Sequence, residues 1–297
     1  MPVNLPPPQL LEIAGPDAIA FAHAQFTSDV AALPPERWQW SAWLSAQGRV
    51  RASFRLLRRG DSSLVLLLGK RSAEAVRAAL APYVFRSKVQ LRVLPAGHAF
   101  GYFLRDEVVA DFGVAPDDGP QGGAIATNAA STVIALPGAQ PRWYAFGVGR
   151  SASAASAEES NRWHAADIGD GLVDLGDSLG DRYLPTWLGL DSLGAVSIGK
   201  GCYPGQEIVA RLHFKGGNKR WLHRIEFSAD RLPDPATQLD PFADTAGGEI
   251  VAAAWSAAPR GVGLAVLPRL PPGTQLSSPA LPGASFRVVS PVRDASD

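Results

Sequence analysis

The densest set of chemically capable residues surrounds the single cysteine of this 297-residue chain. It lies in the octet 200–207, which reads Lys-Gly-Cys-Tyr-Pro-Gly-Gln-Glu. A cysteine thiolate is a nucleophile and a metal ligand, and both the charge of Lys200 and a helix start just after Cys202 favour the thiolate. Most single cysteines are instead small buried side chains. The residue types alone are compatible with two interpretations of Cys202, a functional thiol and a buried core residue.

The octet predicts a tight turn that leads into a short helix. Its two glycines permit backbone angles that are closed to other residues. Pro204 suits the first helical position, and Glu207 suits the first turn, near the positive end of the helix dipole. Apolar residues then recur at helical spacing within 208–212. We therefore expect Cys202 on the turn before a helix.

The octet and its surroundings resemble the YgfZ family, the folate-binding relatives of the glycine-cleavage T protein. Leu-Gly-Leu-Asp at 188–191 and Val-Ser at 196–197 lead into the octet, and Glu-Ile-Val-Ala-Arg at 207–211 completes it. Gly-Pro-Asp at 15–17 and Thr-Ser-Asp-Val at 27–30 resemble the family's first helix and its exit. The resemblance implies an α+β fold with two interleaved lobes of mostly antiparallel sheets and a C-terminal β-barrel.

That resemblance also implies a domain division and a function. The folate-binding α+β region would span 1–215, with its second lobe at roughly 45–95, and the barrel would span 216–297. The family implies a tetrahydrofolate-binding accessory protein that supports iron–sulfur enzymes and tRNA modification. Cys202 would be its functional centre, at the rim of a channel that holds the pterin. The residues expected to bind the cofactor are Asp29, Arg49, Lys200, Gly201, Tyr203, Gly205, Gln206, Glu207 and Arg211.

Two positions depart from the T protein. That enzyme carries paired aspartates in a Gly-Gly-x-x-Asp-Asp pattern, where this chain has Ala52 and Ser53. A glutamate that the T protein uses on the folate ring aligns with Gly169. Since aminomethyl transfer needs a carboxylate to steer the amine, we expect no such transfer and weakened pterin binding. An aminomethyltransferase of the glycine-cleavage type is the alternative function.

Composition narrows the class of protein. A chain of this length with 46% hydrophobic residues predicts two or three domains with substantial cores. One cysteine excludes an internal disulfide and a self-sufficient four-cysteine iron–sulfur site, although one thiolate suffices for a cluster shared with a partner. The spacing of the five histidines predicts no metal site. The absence of a signal-like or membrane-spanning run predicts a cytoplasmic protein without membrane contact.

The net charge is zero but unevenly distributed. Residues 49–92, the basic segment, hold eleven Lys or Arg against two acidic residues, while residues 167–191, the acidic segment, hold six Asp against one Arg. This asymmetry predicts a face that meets an anion, either a folate polyglutamate tail or RNA phosphates. An RNA-binding module built on 49–92 is therefore a second alternative. The nearby Trp38, Trp40 and Trp43 are interpreted as core residues.

Hydrophobic periodicity predicts the elements that position these residues. We expect helices over 17–29, 72–83 and 151–164, and loops over 116–128 and 170–200. A match to G-x-G-x-x-A at 147–152 is interpreted as a plain strand-to-helix turn, because no parallel βαβ pattern surrounds it. Expected strands are 40–45, 50–56, 63–68, 89–93, 101–111, 132–136, 143–148, 221–227, 249–255, 262–267 and 285–289.

Overall fold

A computed structural model describes residues 2–95, 97–119, 122–128, 130–147, 156–241 and 247–292. The strands are β1 (Val3–Leu5), β2 (Leu10–Ala14), β3 (Arg37–Leu44), β4 (Val50–Arg58), β5 (Ser63–Leu67), β6 (Gln90–Leu94), β7 (His98–Tyr102), β8 (Asp118–Gly119), β9 (Gly122–Gly123), β10 (Ile125–Thr127), β11 (Ser131–Leu136), β12 (Arg142–Gly147), β13 (Trp221–Ser228), β14 (Gln238–Pro241), β15 (Gly248–Ala257), β16 (Arg260–Leu267), β17 (Gln275–Ser277) and β18 (Ser285–Pro291). The helices are α1 (Ala18–Gln25), α2 (Ala73–Val84), α3 (Arg105–Phe112), α4 (Ala157–Gly169) and α5 (Gln206–Lys215), with 3₁₀ turns at Asp177–Leu179 and Pro185–Leu188.

Two five-stranded antiparallel sheets form the α+β part of the molecule. One has the order β3-β4-β5-β2-β6, and the other has the order β1-β7-β12-β11-β10. The first two strands of the chain go to different sheets, so the two lobes are interleaved as predicted. The segment Pro6–Pro8 connects β1 to β2 and thereby links the sheets.

Strand β4 presents different side chains to its two faces. Ala52, Phe54 and Leu56 belong to the core cluster that the sheet shares with α1 and α2. Ser53 and Arg55 alternate with them, as the period of two predicts, and line a pocket between the sheets. Arg55 is therefore directed into the molecule, whereas Arg51 on the same face is partly exposed beside Asp181.

The C-terminal strands form a closed barrel, in the order β13-β16-β15-β14-β17-β18. Antiparallel pairing of β13 with β18 closes the ring. Its interior holds a separate apolar cluster that includes Ile225, Phe286 and Leu276. The barrel was predicted from four strands, and the short strands β14 and β17 had not been expected. The boundary between 215 and 216 stays a prediction.

Two predicted elements in the middle of the chain are wrong. Residues 101–111 were predicted as a strand, but the strand ends at Tyr102 and α3 follows. Acidic residues in the first turn of α3 and a left-handed Gly113 at its end stabilise a helix there. Residues 116–128 were predicted as a loop, yet they contain β8, β9 and β10. Strands of two or three residues leave no periodic pattern to read.

Two predicted helix starts also differ from the structure. The helix predicted over 151–164 is α4, which begins after Ser156 and continues to Gly169. A capping box between Ser156 and Glu159 fixes that start. Residues 148–155 lie outside the described part of the chain, and so do five of the six positions of the G-x-G-x-x-A match. Helix α5 begins at Gln206, two residues after Pro204, with Gly205 as its N-cap.

Candidate functional site

The turn of the octet packs directly against the turn between β3 and β4. Gly205 has a φ of 79°, and a Cβ there would lie 2.5 Å from the carbonyl oxygen of Ser45. Gly48 has a φ of 73°, and its Cβ would lie 2.9 Å from Cβ of Ile208. Both positions therefore require glycine, for backbone angle and for close approach. Gly201 differs, because the nearest atom to its Cβ position is 3.9 Å away.

Lys200 is buried and anchors the octet to the end of α1. Its ammonium nitrogen donates to the carbonyl oxygens of His23, Phe26 (2.6 Å) and Ser28 (3.2 Å). Burial lowers the pKa of Lys200 to about 8, with Asp29 acting in the opposite direction. The ammonium is thus directed at backbone carbonyls, and it neutralises the negative end of the α1 dipole.

Cys202 is an exposed free thiol on this turn. The buried-core interpretation of this cysteine is therefore wrong. The nearest imidazole to its neighbour Gly201 is that of His23, whose Nε2 faces the Gly201 Cβ position. The Ala31 amide lies 3.3 Å from His23 Nδ1. Burial, then the charge of Lys200, lowers the pKa of His23.

The remaining predicted cofactor residues have varied surroundings. Tyr203 is buried, its pKa is raised to about 12 by burial, and its ring lies 5.0 Å from the Lys200 ammonium. The Gln206 side chain donates to the Lys200 carbonyl at 3.5 Å. Glu207 and Arg211 are exposed on α5.

Two predicted residues lie outside the octet. Asp29 Oδ1 is 3.4 Å from His23 Nδ1 and accepts from the Ala32 amide at 3.1 Å, which places it beside the octet. Arg49 lies apart from it, where its guanidinium donates to the Arg182 carbonyl at 2.8 Å and lies 4.9 Å from the Trp187 ring.

A pocket of about 90 Å³ lies between the two sheets, and we call it the central pocket. Aromatic, basic and acidic side chains meet there from different parts of the chain. None of the predicted cofactor residues lines it, so a direct role for them in folate binding stays a prediction. Its polar and aromatic lining consists of Trp40, Ser53, Arg55, Lys70, Tyr144, Trp163, His164, Asp167 and Asp174.

Arg55 is the basic residue inside the central pocket. Its guanidinium lies 4.5 Å from the centre of the Trp40 ring, and its Nε has no hydrogen-bond partner among the described residues. Burial lowers the pKa of Arg55, which the nearby charges of Asp167 and Asp174 oppose. A charged donor without an acceptor in a protein interior is unfavourable unless a further group accepts from it. The central pocket thus contains a guanidinium that can donate a hydrogen bond to an acceptor atom of a ligand.

Two carboxylates face the same space. Asp174 accepts from the Lys70 amide at 3.0 Å, and Asp167 pairs with Arg142 at 2.9 Å. Burial raises the pKa of both carboxyls despite these partners. Burial also raises the pKa of the Tyr144 hydroxyl, which stays protonated and able to donate. No sequence motif marks Asp167 or Asp174 as site residues, since the positions that align with the T protein's carboxylates are 52, 53 and 169.

Arginines of the basic segment form ion pairs with aspartates of the acidic segment. Arg51 lies 3.4 Å from Asp181, and Arg71 lies 3.1 Å from Asp177. Each pair joins the basic segment to the acidic segment. The acidic segment thus supplies the counter-charge for two arginines of the basic segment. An RNA-binding surface over 49–92 stays a prediction.

The described residues have neither a cluster of metal-ligating side chains nor a membrane-spanning helix. They contain no cluster of three or more His, Cys, Asp or Glu side chains placed to hold a metal ion. Among them no helix combines the length and the apolar character that crossing a bilayer requires.

The three tryptophans at 38, 40 and 43 are buried, as predicted.

Known proteins resemble this arrangement in both sequence and fold. The "tRNA-modifying protein YgfZ" of Edwardsiella ictaluri is 31% identical over 245 residues, which cover 77% of this chain and 72% of the relative. The chain belongs to the YgfZ family. The YgfZ protein of Serratia proteamaculans, with the same printed description, is 27% identical over 78% of this chain and 72% of its own length. No family model matches the chain.

The fold of this YgfZ-family chain is that of the T protein. Aminomethyltransferase T of the glycine cleavage system from Bartonella henselae superposes with a TM-score of 0.72 over 97% of this chain and 84% of the enzyme. The two sequences are 15% identical, so the likeness concerns architecture alone. The predicted α+β architecture with a C-terminal barrel is confirmed.

Proposed function

We propose that this protein binds a reduced folate, tetrahydrofolate, in the central pocket and acts as an accessory protein in tRNA modification. The observation that carries the proposal is the pocket itself. It places the unpartnered Nε of Arg55 and the carboxylates of Asp167 and Asp174 between aromatic rings, in a chain with the T-protein fold. The relatives' description as tRNA-modifying proteins supports the second half of the proposal.

The chemistry of the pocket matches a pteridine. Such a ring has planar faces for Trp40 and Tyr144, and an edge with an amide N–H, an amino group and a carbonyl oxygen. A carboxylate such as Asp174 accepts from the N–H and amino groups, and Arg55 donates to the carbonyl oxygen. These two side chains take the place of the T protein's glutamate, which has no counterpart at Gly169.

The pocket is narrow, and this sets where the rest of the ligand lies. Its 90 Å³ is well below the roughly 300–1,000 Å³ of typical ligand sites. Entry of the ring therefore requires its lining to move, and the connecting segment Pro6–Pro8 forms part of that lining. Lys70 is exposed and lines the same pocket, so its ammonium is placed to meet the glutamate carboxylates of the tail.

Cys202 supplies the second proposed activity, the support of iron–sulfur enzymes. Its thiol is exposed, and the Lys200 anchor and Gly205 packing fix the turn that presents it. One exposed thiolate is sufficient to contact a partner's metal cluster or disulfide. Folate binding and thiol presentation thus lie on separate parts of the molecule.

Thermal unfolding with and without tetrahydrofolate tests the first half of the proposal. A ligand of the native state at 100 times its Kd stabilises by about 2.7 kcal/mol, so the midpoint rises. The matched control ligand is p-aminobenzoyl-glutamate, which lacks the pteridine and is expected to give a much smaller shift. An unchanged midpoint at millimolar tetrahydrofolate would contradict the proposal.

Complementation tests the second half. Cells lacking their own YgfZ protein would receive the wild-type chain or Cys202→Ala, and the extent of tRNA modification by iron–sulfur enzymes would be measured. We expect the wild type to restore modification and the alanine variant, present at equal abundance, to fail. Full restoration by Cys202→Ala would show that the thiol is dispensable.

A further inference from the structure

We propose that the end of α5 and the loop after it bind single-stranded RNA. We call this region, residues 211–220, the α5 surface. It is distinct from the basic segment that the sequence pointed to. Three observations carry the proposal: cations without an ion pair to any described residue, an exposed aromatic ring, and an open groove lined by the same helix.

The cations of the α5 surface have no ion-pair partner within the described part of the chain. Arg211, Lys215 and Lys219 are all exposed, and none forms an ion pair with a described residue. The sequence has no acidic residue between 208 and 220. In the basic segment, by contrast, Arg51 and Arg71 are paired with aspartates. The α5 surface thus presents three exposed cations to a polyanion.

An aromatic ring stands among these cations. Phe214 is 74% exposed, and the His213 ring contacts it edge to face with centroids 4.9 Å apart. Exposed rings of this kind are platforms on which unpaired bases stack, whereas cations alone serve only the phosphates. The combination indicates a single strand rather than a duplex.

A groove of about 730 Å³ lies between α5, the turn at 185–198 and the barrel, and His213, the neighbour of Phe214, lines it. Gly216, Gly217, Trp221 and one carboxylate, Asp191, also line it. Both glycines have positive φ, and no atom lies within 4 Å of where their side chains would be. The backbone thus passes beside open space, which a nucleotide next to the stacked base would occupy.

The choice of RNA over an acidic protein rests on the proposed function in tRNA modification. Stacking supports the same choice, because an acidic polypeptide would use the cations but has no need of Phe214. The proposal thus deepens the proposed function by naming RNA as a direct ligand. It makes no use of the central pocket, so the two are separable by experiment.

Fluorescence anisotropy with a labelled, unmodified tRNA transcript and an unstructured RNA oligonucleotide tests the proposal in the full chain. Phe214→Ala is expected to weaken binding of the oligonucleotide roughly 5- to 150-fold, the range for loss of one stacked base. Lys215→Ala with Lys219→Ala is expected to reduce the slope of log K against log salt by about 1.4, or 0.7 for each cation. The matched control is Phe85→Ala. Phe85 is 85% exposed beside Arg86 at the end of α2, within the basic segment.

The outcomes separate this inference from the proposed function. Weakening by the α5 variants, with Phe85→Ala unchanged, supports the α5 surface. Absence of RNA binding, or equal loss in Phe85→Ala, overturns it. Binding of polyglutamate as tight as RNA and indifferent to Phe214→Ala would also overturn it, in favour of an acidic protein. Tetrahydrofolate titration of the same samples reports on the proposed function independently.

Discussion

The Lys200 ammonium lies 2.6 Å from the carbonyl oxygen of Phe26, 174 residues earlier in the chain. This hydrogen bond joins the octet to the exit of α1. It explains why a lysine stands two residues before the exposed Cys202: the charge holds the turn in place through the backbone. The interaction is therefore one of positioning, and it links the two segments that most resemble the YgfZ family.

Replacing this lysine tests its structural role. Lys200→Met leaves buried carbonyls at Phe26 and Ser28 without their donor, and we expect a loss of about 1–3 kcal/mol in the free energy of unfolding. Urea denaturation measures it. A variant as stable as the wild type would show that the carbonyls find other donors.

The same residue predicts a pH dependence. The folded-state pKa of about 8 lies below the ordinary value of 10.5, so the unfolded state binds more protons between these values. The pH-dependent part of the contribution of Lys200 to stability is therefore fully present above 10.5 and is lost as pH falls through about 8, while its hydrogen bonds to the backbone carbonyls remain. The stability difference between wild type and Lys200→Met should rise with pH across this window. A flat difference would contradict the burial argument.

The two glycines of the octet should respond differently to substitution. Gly205→Ala places a Cβ 2.5 Å from the Ser45 carbonyl oxygen at positive φ, and we expect it to destabilise the fold by about 2 kcal/mol or more. Gly201→Ala has its nearest atom at 3.9 Å, so its stability should stay within about 0.5 kcal/mol of wild type. Thermal melts of the pair measure both. Equal destabilisation would refute the packing explanation.

The interior arginines provide another contrast. Arg142 is 2% exposed and bonds Asp167 at 2.9 Å and Asp170 at 2.6 Å, so Arg142→Met removes the counter-ion of two half-buried carboxylates and should cost about 3–5 kcal/mol. Arg55 Nε lacks a partner, so Arg55→Met should cost less than about 1 kcal/mol or stabilise the ligand-free protein. Chemical denaturation compares them. If Arg55→Met proved the more damaging, the pocket arginine would be structural.

Aminomethyl transfer is expected to be absent. Ala52 is fully buried in the core and Ser53 lines the central pocket, so β4 supplies no carboxylate to steer an amine. Assay with tetrahydrofolate and an aminomethylated carrier protein measures the rate. Turnover of about 1 per second or more would show that Asp167 or Asp174 performs this role instead.

Strand β4, the overall fold and the turn that carries Cys202 were predictable from the sequence. Hydrophobic periodicity over 50–56 predicted β4. The octet gave the family and hence the fold. The turn and helix around Cys202 were predicted to within two residues, because glycine and proline constrain the backbone locally.

The central pocket was not accessible in this way. It forms only when β4, β12 and α4 meet, and the order of strands in each sheet decides that meeting. Tyr144 and Asp174 lie in segments without a chemical pattern, so no local signal identified them. The exposure of Phe214 was likewise not predictable. Val209 is the one buried residue of α5, and the sequence does not show which sides of that helix other elements cover.

Isothermal titration of tetrahydrofolate into four proteins tests the central claim most directly: wild type, Arg55→Met, Asp174→Asn and Cys202→Ala. Wild type and Cys202→Ala are predicted to bind equally, because the thiol lies outside the pocket. The two pocket variants are predicted to bind at least about tenfold more weakly, which corresponds to about 1.4 kcal/mol. Loss of binding in Cys202→Ala with full binding in both pocket variants would place the folate at the octet and contradict the account.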